Sequence, residues 1–561
     1  MFRGIDTGEL SVTELRRLQA PRENGVILAE TPLDHAGRLL ADNRQRFQQP
    51  GPSFFGRTWD EIRRQAREDI LGAAKLYLTE AGEPIPPLQG AALFLAGHQP
   101  DLFHPGVWIK NFALNGLAKA HGATPLNLIV DSDAAKTLFI RVPKLNSVST
   151  KGRIEPDQVT VTTIPIGRWK PEIPYEELAV TDESMFDGVE GEVAPILKDW
   201  GLPSIFESFW REAIRQGQRT ELLGERLAAA RRTFERRWNC HNLEIPLSGV
   251  CQTNGFAWFA CHLLANLTRF HEVYNRSLRA YRNRYHLRSR SHPVPELSTQ
   301  NGWMEAPFWA WRAKQAMRRP LFARLRETGI QLRLEGEALA TLPWSDQDSQ
   351  QPARAIRTIN AWRELERDGI KIRSRALMTT LYARLFLGEI FIHGIGGGKY
   401  DELTDQIIRD FYHLEPPKYL VLSGTLQLPL PSFPSRPMDC RRLARELRDL
   451  RWNPQRHLTG GADTEPVTSM NFSELNQLIN EKTAWMARCP ETLADRRQRF
   501  QELRKVTGLL QPLVSQKQMQ LQAKLEACKR EVEANRILQS REYAFCLYPE
   551  ETLRPFLTQF L

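Results

Sequence analysis

Three clusters of polar residues stand directly after short apolar runs, and together they carry the side chains best suited to chemistry on a small anionic molecule. The first is Gly97-His98-Gln99, followed by His104 and, beyond Pro105-Gly106, by Lys110. Imidazoles exchange protons near neutral pH. A lysine in the first turn of a helix is disfavoured by the helix dipole unless an anion is bound nearby, so Lys110 points to phosphate or carboxylate. The second cluster is Asp131-Ser132-Asp133, with Lys136 close behind. Two acids beyond a buried strand can hold an amine, a ribose hydroxyl or Mg2+, and either can equally cap the next helix. The third cluster opens with His393 and Gly394, continues through Gly396, Gly397 and Gly398, and ends in Lys399 and Asp401. A glycine-dense loop lets backbone N–H groups close on an oxyanion, with His393 and Lys399 as acid, base or charge stabiliser.

The catalytic candidates are therefore His98, Asp131, Asp133, His393 and Lys399. Gly97, Gln99, His104, Lys110, Gly396, Gly397, Gly398 and Asp401 are candidates for holding substrate or nucleotide. Asn254, after Gln252-Thr253, stands at a further strand end and joins the binding set. No cysteine or histidine spacing suggests a metal site. GxSxG, HExxH, GxGxxG and the P-loop pattern are all absent from the sequence.

The runs that must position these residues are AALFLAG from Ala91, PLNLIV from Pro125 and GEIFIH from Gly388. Each reads as a buried parallel strand delivering its loop to one edge of a sheet, the edge where open α/β sheets bind ligands. LEIPLSGV from Leu243 repeats the strand–polar turn–helix theme, and PKYLVLSGT from Pro417 supplies another strand. Gly97 is expected to take a backbone conformation closed to other residues. The fold class is α/β, with a Rossmann-like parallel sheet as its core. Residues 1–85 read as a helical segment and 86–285 as the first part of the core. An inserted connecting region follows at 286–355, with Trp303, Glu305, Phe308, Trp309 and Trp311 expected to be buried. The second part of the core covers 356–437. Residues 438–540 read as a helical coiled-coil hairpin, with a stripe at Leu503, Leu510, Val514, Leu521, Leu525 and Val532 that Pro512 and Lys517 interrupt. Residues 541–561 return to the core.

Composition narrows the class. The chain has 561 residues, 41% apolar and 25% charged, as in ordinary globular proteins. No apolar stretch approaches the ~18 residues that span a bilayer, and the first residues carry no hydrophobic signal segment, so a cytoplasmic location is expected. The seven cysteines are scattered and are expected to be reduced structural thiols. Cys240-His241 and Cys261-His262 read as packing. A net charge of +10 allows an acidic partner. The densest basic run, Arg279 to Arg290 with Tyr281 and Tyr285, supports the alternative of a nucleic-acid-binding protein.

In order and length these motifs resemble the bacillithiol biosynthesis cysteine-adding enzyme family. The residues that carry the resemblance are Gly97-His98-Gln99 with Pro105-Gly106, where the family has Gly-Gln-Gln and a Gly/Pro-led helix. The acidic cluster Asp131-Ser132-Asp133 and the run from Ser374 to Glu402 follow in the family's order, then the helical segment Met438 to Ser540 and the tail REYAFCLYPEE. The resemblance implies a nucleotidyltransferase-type core with inserted connecting helices and a coiled coil through which a homodimer forms. It implies a ligase that condenses cysteine with glucosaminyl-malate, or joins a similar amine- or thiol-bearing metabolite to an activated acid, with ATP or another nucleotide and Mg2+. Three departures fall on the ligand loops. His98 stands at the first glutamine, the acidic cluster lacks the family's histidine, and GIGGGKYDE replaces a Gly-Pro-Gly-Glu type turn. A diverged substrate, or a catalytically silent scaffold, are the corresponding alternatives.

Overall fold

A computed structural model describes residues 16, 18–146, 154–168, 172–313, 315–327, 329–345, 351–458 and 472–561. The chain forms two units: Met1–Val142 with Thr162–Pro429 and Arg541–Leu561, and Pro143–Val161 with Leu430–Ser540.

The first unit is built on a six-stranded sheet. Its strands are β1 (Ile27–Glu30), β2 (Leu93–His98), β3 (Thr124–Ile129), β4 (Leu243–Pro246), β5 (Ile390–His393) and β6 (Leu420–Gly424), in the spatial order β1-β6-β5-β2-β3-β4. β1 runs antiparallel to β6, and all other neighbours are parallel. The five parallel strands are almost wholly buried, as strands covered on both faces must be. β1 lies in a stretch expected to be helical. Of its residues only Ile27 is buried, which suits an edge strand.

From β2 the chain steps sideways to β3 and β4, then crosses back to place β5 and β6 on the other side of β2. The order therefore reverses between β2 and β5, and such a reversal opens a crevice at the carboxyl ends of the strands. Helix α1 (Trp59–Glu80) is closed at its start by a reciprocal Thr58–Glu61 capping box and buries Ile62, Ala66, Ile70, Ala74 and Leu78 at helical spacing. Helix α2 (Pro105–Ala120) follows β2, α3 (Leu223–Arg237) precedes β4, α4 (Asn254–Ala265) and α5 (Leu267–Arg284) follow it, and α6 (Ile395–Ile407) follows β5. Under the sheet, Glu244 of β4 is 1% exposed and receives Arg231, Arg232 and Asn127 at 2.6–2.8 Å, so this buried charge is fully compensated.

The region expected to be a connecting insertion is a second sheet. The strands Trp303–Arg312, Gln315–Arg326, Gly329–Leu334 and Glu337–Leu342 form an antiparallel meander, and Ile370–Ser374 pairs with the first of them. Helix Pro352–Arg367 and strand Ile370–Ser374, read from sequence as the second part of the core, belong with this sheet. Phe308 and Trp311 are buried, while Trp309 is half-buried between the guanidinium groups of Arg375 and Arg318, 4.1 and 5.0 Å from its ring. The tail Arg541–Leu561 places Phe545 against Phe103, Trp108 and Phe209.

The second unit is more than one hairpin. Helices Pro437–Trp452 and Ser515–Leu538 run antiparallel, with Leu450 against Val514 and Leu521. Phe472–Ala487 packs against Leu493–Leu510. Pro512 breaks the apolar stripe in a short 3-10 turn, Gln511–Val514. Cys440 and Cys528 are joined by a disulfide, with Cα atoms 5.7 Å apart, which corrects the expectation of reduced thiols for these two. Cys240, Cys251, Cys261 and Cys546 are free and buried. No helix among the described residues is long and apolar enough to cross a membrane.

Candidate functional site

The two strands at the reversal end in Gly97-His98 and in His393, so the crevice is flanked by two of the three clusters read from the sequence. Gly97 lies inside β2 without a left-handed φ, contrary to the expectation. A Cβ there would meet the Leu128 carbonyl oxygen at 2.9 Å and its Cβ at 3.1 Å, so glycine serves close strand packing.

Lys110 lies on the second turn of α2 rather than the first, because the helix begins at Pro105. It is 3% exposed, and its Nζ donates to the Gly97 carbonyl at 2.9 Å. Burial lowers its pKa to about 8, with no carboxylate counteracting the shift. The same ammonium acts on both flanking imidazoles. Burial and then Lys110 take His98 down to about 3. Burial also lowers His393, with Lys110 contributing and Asp401 opposing. His98 is thus neutral at physiological pH. With Nδ1 donating to the Gln99 carbonyl at 3.2 Å, its Nε2 is left as an acceptor.

His393 is held from behind. Its Nε2 meets Asp401 Oδ2 at 2.8 Å, and Asp401 in turn receives Arg384 at 2.6 Å. Against the burial that would raise it, Arg384 and His393 hold the Asp401 carboxyl below its ordinary range. The glycine turn is the start of a helix, not an open loop. Gly394 is the N-cap of α6, and the first intrahelical bond runs from the Gly398 N–H to the Gly394 carbonyl at 2.9 Å. The N–H groups of Ile395, Gly396 and Gly397 therefore precede any intrahelical acceptor. Gly396 and Gly397 are exposed, and a Cβ on Gly397 would come within 2.7 Å of His393 Nδ1. Lys399 is half-buried, its carbonyl accepts from the Tyr281 hydroxyl at 3.1 Å, and its ammonium makes no ion pair among the described residues. The Lys110 group does not include it.

His104 is the N-cap residue of α2, where the tail's Arg541 approaches its ring to 3.2 Å. Burial and then Arg541 lower its imidazole to about 3. Arg541 also donates to Ser423 at the end of β6, at 3.1 Å. A guanidinium thus stands beside the N-terminus of α2.

The second cluster is tied down differently. Asp131 accepts from the Ser248 backbone N–H at 2.9 Å and from its hydroxyl at 2.5 Å, so it caps the short helix Leu247–Cys251 rather than one that follows it in sequence. No helix follows, because the chain continues into strand Phe139–Leu145. Burial, and then the like charge of Glu176, push the Asp131 carboxyl up to about 7. Asp133 receives Gln99 Nε2 and Arg318 Nη1, each at 2.7 Å, which locks the first loop to the second. Asn254 lies elsewhere, on a groove of about 600 Å³ with Arg57, Trp258 and Arg363. In the basic run, Arg279 and Arg282 share Glu296, and Tyr285 donates to Glu402.

The carboxyl ends of β2 and β5 thus bring together one buried ammonium without a carboxylate partner among the described residues, neutral imidazoles and two helix starts. The arrangement suits an anion beside a neutral hydrogen-bond acceptor. Arg541, Arg384, Arg318 and Ser248 were not foreseen: Arg541 and Arg318 come from remote segments, and Arg384 and Ser248 lie inside runs read as helix and strand–turn–helix with no local pattern that singles them out. No family model matches this chain, and no curated protein is significantly similar to it.

Proposed function

We propose that this protein is an enzyme that binds a small organic anion at the β2–β5 crevice and joins it to an amine or thiol, in the manner of the cysteine-adding ligases that its motifs resemble. The observation carrying this reading is Lys110, a buried ammonium whose partner is a carbonyl and not a carboxylate. A buried charge left in that state is stabilised by an anion arriving beside it. The starts of α2 and α6 would complement the charge of that anion. His98 Nε2, unprotonated because burial and Lys110 hold the imidazole low, is placed to accept a hydrogen bond from the attacking amine or thiol and so orient it. Asp401 orients His393, and the Gln99–Asp133–Arg318 chain fixes the turn that carries His98.

The resemblance supports a nucleotidyltransferase-type core, a nucleotide such as ATP and a homodimer made through the helical unit, and the cytoplasmic setting rests on the first residues of the sequence. A resident Mg2+ site does not fit the acidic cluster. Asp133 is engaged by Gln99 and Arg318 and Asp131 by Ser248, and no group of three metal-binding side chains occurs among the described residues. Any Mg2+ would come with nucleotide phosphates.

The test is calorimetric titration with ATP, cysteine and glucosaminyl-malate, with mass spectrometry for an adduct. Lys110→Met is expected to lose binding of the anionic substrate and His98→Ala to lose turnover with binding retained. Binding of the anion by Lys110→Met at wild-type strength would falsify the reading.

A further inference from the structure

Beyond the carboxyl end of β4 lies a cavity of about 120 Å³ that does not include the crevice residues. It is bounded by the end of the short helix Leu247–Cys251 on one side and by helix Pro352–Arg367 with strand Ile370–Ser374 on the other. Its floor is apolar: Ile370, Ile372, Leu365 and the Trp362 indole, with the Cys251 thiol. Burial pushes that thiol up to about 12, so it is a neutral wall and not a nucleophile. A space of this order takes one body of benzene size.

The rim is charged, and its charges do not cancel. Glu366 is held by both Nη atoms of Arg373, at 2.7 and 2.8 Å, and by Gln252 at 3.2 Å. Arg373 is in turn doubly bound to Glu176. That set is hydrogen-bonded within itself, two carboxylates to one guanidinium, so it supplies no free positive charge. Arg363 is different: it lines both this cavity and the neighbouring groove, it is half-buried, and among the described residues it has no ion pair, hydrogen bond or ring contact. Arg367, also on the rim, is exposed and equally without a carboxylate. Arg57 adds a further cation to the groove. Uncompensated positive charge above an apolar floor selects a ligand that is both anionic and apolar.

We propose that this cavity is a second ligand site, separate from the β2–β5 crevice, for a small organic acid. The acid is a carboxylate or phosphate monoester with a compact apolar body. Its charged end meets Arg363, and its body lies on Trp362, Ile370 and Ile372. The site does not depend on the activity proposed for the crevice. Its far wall, the helix Leu247–Cys251, is the one that Asp131 caps through Ser248, so a ligand here touches an element shared with the acidic cluster.

The experiment uses the full chain with benzoate and phenyl phosphate as probes and benzamide as the uncharged control, read by saturation-transfer NMR and calorimetry. At least one anionic probe is expected to bind saturably, and benzamide at least ~tenfold more weakly, since a charge-assisted contact is lost. Arg363→Met and Arg363→Glu, checked for native circular dichroism, should weaken the anion by ~tenfold or more. Ile370→Phe should block it by filling the floor. Lys110→Met should leave it unchanged, which separates this site from the crevice. The proposal is overturned if neither anion binds, if benzamide binds equally well, or if binding survives Arg363→Glu.

Discussion

The Lys110 ammonium donates to the Gly97 carbonyl at 2.9 Å, bringing a charge from the second turn of α2 back to the end of the strand that precedes the helix. The contact satisfies one of three N–H donors and leaves the charge without a counterion among the described residues. Burying it this way disfavours the folded state, and an anion bound beside it would offset that cost.

Lys110 therefore predicts a specific pH dependence. Its folded pKa is about 8 against an ordinary 10.5, so between these values the unfolded chain holds the proton and the folded chain does not. Stability accordingly rises as pH climbs through that window, and the strain is fully present below pH 8. Lys110→Met should abolish the rise and stabilise the free protein at neutral pH by ~2–3 kcal/mol, while losing the anion. Chemical denaturation at a series of pH values, with and without ligand, measures both effects.

Asp131 predicts the opposite slope. Its carboxyl titrates at about 7 when folded and at 3.8 ordinarily, so the folded state holds the extra proton between those values. Stability contributed by this group is full below pH 4, falls by up to ~1.4 kcal/mol per pH unit and is gone above pH 7. Asp131→Asn should flatten that part of the profile while keeping an acceptor for the Ser248 N–H. An unchanged slope in the variant would show that another group titrates there.

The charged cluster under β4 should tolerate no single deletion. Glu244→Leu leaves Arg231 and Arg232 buried with one partner fewer each, and loss of ~3–5 kcal/mol is expected. Urea unfolding of the variant against the wild type reads this directly.

The disulfide gives a prediction confined to the helical unit. Cys440 and Cys528 are 88 residues apart in sequence, so the bond closes a long loop in the unfolded chain. Cys440→Ser or added reductant should lower the stability of that unit by ~2–4 kcal/mol. A non-reducing peptide map showing both thiols free in the native protein would remove the effect.

What could be read in advance divides along physical lines. β2, β3, β5 and β6 were legible because a strand buried on both faces reads as a near-continuous apolar run. β1 was not, since only one of its four residues is buried. The second sheet hid behind arginines: Leu321 and Ala323 are buried, but Arg318, Arg319, Arg324 and Arg326 crowd the same strand, and the pattern reads as polar. The hairpin at Glu335-Gly336 did carry a signal, for both residues take left-handed φ values of 49° and 92°, as a two-residue turn between twisted strands requires. For the candidate site, residue types at strand ends were readable while their partners were not. His104 meets Arg541 across 437 positions of sequence, and nothing local to either residue announces the other.

The glycines of α6 supply the sharpest test of how the crevice is built, because three adjacent positions meet three different surroundings. A Cβ on Gly396 has nothing within 4 Å, and its φ is not left-handed, so Gly396→Ala should be neutral or stabilise by up to ~1 kcal/mol through the helix preference of alanine. On Gly397 the same methyl would lie 2.7 Å from His393 Nδ1, and the ring must move off its 2.8 Å contact with Asp401. On Gly398 it would lie 2.5 Å from the buried Val421 side chain of β6, and the helix start must lift from the sheet. Gly397→Ala should therefore change the His393 imidazole signals in NMR with only modest loss of stability, whereas Gly398→Ala should destabilise by ~1–3 kcal/mol with little direct effect on His393. If the glycines served only to let a flexible loop wrap an anion, all three substitutions would impair binding alike and Gly396 would be no exception.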